Sequence, residues 1–101
     1  LPKQEGVSLM AEISVQLNET SSGWKANVTV SEGGANQFTV SVKKDYYQQI
    51  TAGEYSPERL IQASFEFLLD REPKESILRQ FDLPVISRYF PEYDRKIEEY
   101  L

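Results

Sequence analysis

On the expected helices two pairs of carboxylates stand four residues apart, Glu66 with Asp70 and Asp94 with Glu98. On a helix that spacing puts both members of a pair on one face. There they could bind a hard cation, or hold one carboxyl protonated near neutral pH if a cleft closed over them. Neither pair has a nucleophile or a lysine in a recognisable relation to it, and carboxylates at this spacing are common on solvated helix faces. The chain has no cysteine and no histidine. That removes thiol nucleophiles, disulfides, the usual zinc ligands and the commonest general base. The residue types therefore point away from an enzyme, and no metal or cofactor is expected.

A second candidate is "FDLPVISRYFPEY" at 81–93, which reads like the turn and second helix of a DNA-binding helix-turn-helix. A recognition helix must offer polar or basic side chains from its first turns to base edges. After Pro84 only Ser87 and Arg88 fit that need, before Pro91 and Glu92 intervene. The net charge of -5 repels phosphates at long range, and Lys43–Lys44 and Arg95–Lys96 both lie beside acids. Nucleic-acid binding through a helix-turn-helix-like segment 74–93 is thus the alternative reading, with Ser87 and Arg88 as its contacts.

The third candidate is aromatic. Among six tyrosines, Tyr89, Tyr93 and Tyr100 recur with Ile97 and Leu101 at helical spacing near the end of the sequence. Tyrosine suits interfaces because it buries a large ring and keeps a polar tip. Tyr89, Tyr93, Ile97, Tyr100 and Leu101 are the candidate contact surface for a protein partner or a second copy.

The elements that position these residues follow from periodicity. Odd positions from Val7 to Leu17 are apolar and even ones mostly polar, the mark of a strand with one buried face. Trp24, Ala26, Val28 and Val30 alternate in the same way, as do Phe38, Val40 and Val42. "NETSSG" and "EGGAN" supply the turns, so residues 7–43 are expected to form a three-stranded antiparallel meander. Its polar face has too few rings to be an RNA-stacking platform. Met10 opens a stretch that looks like a native start, which would make residues 1–9 an N-terminal extension, although Val7 and Leu9 keep the strand's phase.

Residues 45–101 form the helical half. Asp45 is the expected cap of a short helix stopped by Gly53. Ser56 and Pro57 open a longer one running to about Arg71. Its apolar positions fill an arc of about 240°, where about 100° suffices to lie on one sheet. The excess must be covered by the C-terminal segments or by another subunit. Pro73 is expected to begin a further short helix burying Ile77, Leu78 and Phe81. Asp82 would cap a helix starting near Pro84, which Pro91 kinks or restarts.

With 101 residues, 40% of them hydrophobic and 27% charged, the expectation is one α+β domain, a three-stranded antiparallel β-meander followed by three to five helices packed on one face. No apolar run approaches the roughly 20 residues of a membrane span. The first residues are unlike a secretory signal, so a cytoplasmic location is expected. The series "SPE", "FEFLLDREP", "SIL" and "FDLPVISRYFPEY" resembles a group of small uncharacterised bacterial proteins with a β-meander followed by helices. That resemblance implies the order of elements and no activity. The functional expectation is a non-catalytic intracellular module that binds a protein or associates with itself.

Overall fold

The computed structural model describes residues 11–101, so the reading of residues 1–9 as an extension, and the phase of Val7 and Leu9, lie outside it. Three strands form the expected meander: β1 (Glu12–Glu19), β2 (Gly23–Ser31) and β3 (Ala35–Lys43), each antiparallel to the next. The register explains why the alternation works. Leu17 faces Ala26, which faces Val40, while Val15 faces Val28, which faces Phe38. Apolar residues thus fall into rows across one face of the sheet. Gly23 admits β3 at close range, for a Cβ there would lie 2.1 Å from the Val42 carbonyl oxygen. Gly33 and Gly34 turn the second hairpin with φ of 66° and 134°.

The helical half starts without a linker. Helix α1 (Lys44–Thr51) follows β3 directly. Asp45, the expected cap, lies in its first turn, and the cap position falls to Lys43 with no side-chain bond. The expected stop is shared: Ala52 is already left-handed (φ 54°) before Gly53 (φ 76°). Helix α2 (Pro57–Leu69) begins as anticipated, with the Ser56 hydroxyl accepting the Arg59 amide at 3.0 Å.

Helix α2 is the centre of the molecule because it buries two opposite sides. Phe65 meets Phe38 and Phe81 of the sheet, with ring centroids 5.2 and 6.2 Å apart. Phe67, about 200° further round the helix, meets Phe90, Tyr93 and Tyr100 at 5.2–6.0 Å. The C-terminal segments therefore cover the apolar arc that the sheet leaves open. Those segments are α3 (Val85–Tyr89), α4 (Tyr93–Lys96) and a final 3-10 turn at Ile97–Glu99. Phe90 leaves helical geometry (φ -132°, ψ 85°), so Pro91 lies in a turn between two helices rather than kinking one, and α4 starts at Tyr93.

One expectation is overturned between Pro73 and Pro84. The anticipated helix is only a 3-10 turn at Lys74–Ser76, followed by a fourth strand, β4 (Gln80–Asp82), parallel to β3. The sheet is four-stranded and mixed, in the order β1-β2-β3-β4. The physical reason is the open edge of β3. The Thr39 amide bonds to the Arg79 carbonyl at 2.8 Å, and the Leu83 amide to the Ser41 carbonyl at 2.9 Å. Edge groups that need partners outweigh the weak helical spacing of Ile77 and Phe81. Asp82 is consequently no helix cap; it accepts a hydrogen bond from the Ser41 hydroxyl. Extended backbone also splits neighbours to opposite sides, so Ile77 is buried and Leu78 is 47% exposed. Lys74 anchors this passage: it is buried, and its ammonium donates to Asn36 Oδ1 at 2.6 Å and Glu75 Oε2 at 2.7 Å.

Candidate functional site

Three of the four paired carboxylates are engaged by other side chains. Glu66 is 3.9 Å from the Arg59 guanidinium. Asp70 accepts the Tyr100 hydroxyl at 2.6 Å. Asp94 accepts from Ser87 Oγ at 3.0 Å and from the Tyr46 hydroxyl at 3.3 Å, and Glu98 lies in the open. Among the described residues no three acidic side chains come together as a cation site. Asp70 and Asp94 instead hold aromatic hydroxyls in place. Burial, with the facing Asp94 charge, pushes the Tyr46 phenol up to about 12, against the lowering effect of Ser87. Tyr46 is therefore a neutral donor at physiological pH.

The C-terminal candidates divide. Tyr93 and Ile97 are fully buried against α2 and cannot serve as a surface of the folded chain, and Tyr100 and Leu101 are half-buried. Two arginines of the α2 region fasten that end. Arg59 donates to the Tyr100 carbonyl at 2.5 Å. Arg71 lies 3.6 Å above the Phe67 ring and donates to Glu92 at 3.0 Å and to the Tyr100 hydroxyl at 3.3 Å. Only Tyr89 of the five stays open, at 65% exposure.

The helix-turn-helix expectation fails on its elements. Residues 74–93 hold a 3-10 turn, a strand and the five-residue α3, with no first helix to brace a second. Ser87 is tied to Asp94, while Arg88 projects into solvent.

What the structure does assemble is an apolar cleft of about 270 Å³ between the end of α2, the passage into β4, and α3. Leu68, Ile77, Phe81 and Ile86 are buried and form its floor, whereas Leu78 and Tyr89 stand exposed on its rim. Glu72 also lines it, and burial raises its carboxyl above the ordinary range. Sequence reasoning found Tyr89 but missed Leu78 and Glu72. An extended passage from Ile77 onward would have turned Leu78 outward by its period of two. Compared with known proteins, the chain matches no family model, no curated protein and no solved structure.

Proposed function

We propose that this chain is a non-catalytic protein-docking domain, and that its helical half receives an apolar side chain of a protein partner in the cleft between Leu78 and Tyr89. One observation carries this reading: two large apolar side chains stand exposed on the rim of one cleft whose floor is buried. Covering the rest of Tyr89 and Leu78 would contribute about 3 kcal/mol together, at about 25 cal/mol per Å² of apolar surface. With the partner's own side chain they would form the kind of small buried cluster that carries most of the energy of an interface. The cleft is lined mainly by apolar side chains, with Glu72 and Ser76 among its few polar groups, which suits recognition better than catalysis.

A photoreactive benzoyl-phenylalanine at Tyr89 tests this reading in cells that make the protein, with the same group at Thr29 on the polar sheet face as control. Protein adducts at position 89 and not at 29, lost when Leu78→Asp is added, are the expected result. Equal labelling at both positions, or adducts to nucleic acid at 89, would refute it.

A further inference from the structure

The two edges of the sheet end differently. β4 closes the edge of β3, whereas among the described residues β1 pairs only with β2. The direction of its backbone groups follows from the register. One step beyond the Glu19–Trp24 pair, the Thr20 amide donates to the Gly23 carbonyl at 2.8 Å. Residues two apart in an antiparallel strand turn their amides and carbonyls the same way. Ser14, Gln16 and Asn18 therefore bond to β2, and Ile13, Val15 and Leu17 direct their groups outward. Carried across β2 by the register, the same alternation turns Thr39 and Ser41 outward on β3, and these are the residues that hold β4.

The outward row of β1 is unguarded. Sheet edges commonly carry a lysine, a proline, a bulge or an inward charge that refuses another strand. Between Glu12 and Glu19, β1 reads ISVQLN, with no charge and no proline, and its register with β2 is unbroken. The Ile13, Val15 and Leu17 side chains are only half-buried, while Ala26, Val28 and Val30 on the next strand are fully buried. An extended polypeptide has backbone groups at the spacing of such a row, and its alternate side chains would continue the apolar layer. Charge selects among extended segments. Glu12 and Glu19 stand at the two ends of the row, the latter 3.6 Å from Lys44. The net charge of -5 repels an acidic segment and a second copy alike, and attracts a basic one.

We infer that β1 is a docking edge for an extended, basic segment of another protein, which adds as a strand antiparallel to β1. Its apolar residues stand opposite Ile13, Val15 and Leu17 and exchange backbone hydrogen bonds with them, and lysine or arginine lies among the residues between. This surface is separate from the cleft, and neither reading depends on the other.

The probe is a synthetic peptide, acetyl-Lys-Val-Thr-Val-Lys-Val-Thr-Val-Lys-amide, added to the intact chain and followed by amide hydrogen exchange in NMR. Without peptide, the Ile13, Val15 and Leu17 amides should exchange at least about tenfold faster than those of Ser14 and Gln16. Saturating peptide should slow the first three by about tenfold or more and leave the other two unchanged. N-methylation of the peptide's valines, which face β1, should abolish binding, and N-methylation of its threonines, which face away, should not. Glutamate in place of the peptide's lysines should weaken binding by about tenfold. Protection of Ile13, Val15 and Leu17 in the chain alone would mean that residues 1–10 or a second copy already fill the edge, and overturns the inference. So do no binding at about 1 mM peptide, binding indifferent to the lysine exchange, and binding lost on methylating the threonines instead of the valines. None of these results bears on crosslinking at Tyr89, which tests the cleft.

Discussion

The buried hydroxyl pair of Ser64 and Tyr93 offers the sharpest test of how α2 is held. Both residues are completely buried. Ser64 Oγ lies 2.8 Å from the Leu60 carbonyl and 2.6 Å from the Tyr93 hydroxyl. A serine hydroxyl has one hydrogen, and the carbonyl can only accept it, so Tyr93 must donate to Ser64. Burial holds the Tyr93 phenol far above its ordinary pKa, which keeps that donor in place across the usable pH range. Ser64→Ala strands the Tyr93 O–H in a dry core, and an orphaned buried donor costs about 2 kcal/mol. Tyr93→Phe leaves the serine's hydrogen satisfied by Leu60 and loses only the net value of one bond, about 1 kcal/mol. The double variant has no orphan and should also lose about 1 kcal/mol. The single effects sum to about 3 kcal/mol, so a coupling of about 2 kcal/mol is expected. Urea unfolding at 25 °C measures all three, with the Ser64→Ala midpoint falling by about 1 M at an unchanged slope. Additive losses, or a Tyr93→Phe variant less stable than Ser64→Ala, would refute this assignment of donor and acceptor.

Three further outcomes are expected from the packing around these elements. Lys74→Ala should cost about 2 kcal/mol and leave Asn36 without its ammonium; in hydrogen exchange the Thr39 and Leu83 amides, which hold β4, should lose protection before those of β1 and β2. Glu72→Gln should be more stable than the parent at pH 7 and equal to it well below pH 4.5. The sign follows from burial: a carboxyl raised in the folded state holds its proton longer than in the unfolded chain, so its penalty is absent in acid and grows as pH rises through the folded pKa. A parent gaining stability over the variant between those pH values would contradict it. Gly23→Ala places a methyl within 2.1 Å of the Val42 carbonyl oxygen and should lower the melting temperature by about 10 °C or more, read by calorimetry.

Helix α2 was legible from end to end in outline, because Ser56, Pro57 and the width of its apolar arc are local facts. The same arc required a second covering layer, and Phe67 under Phe90, Tyr93 and Tyr100 supplies it. The candidate surface was less legible. Tyr93 and Tyr89 have the same residue type and lie four apart, yet one is buried and the other is 65% exposed. The break at Phe90–Pro91 separates them, and spacing read across that break assigns both to one stripe that does not exist.

By itself the order of residues determined the meander and which face it buries, since a period of two sends alternate side chains of β1, β2 and β3 to one side of the sheet. It also excluded cysteine and histidine chemistry outright. Tertiary structure alone decided that residues 80–82 form a strand, that Lys74 is buried, and that Leu78 and Tyr89 line one cleft. Each of these depends on a partner far away in the chain, the free edge of β3, the Asn36 amide or the end of α2. A short segment with weak local preference takes whichever conformation satisfies the backbone groups and apolar surface that distant partner leaves open.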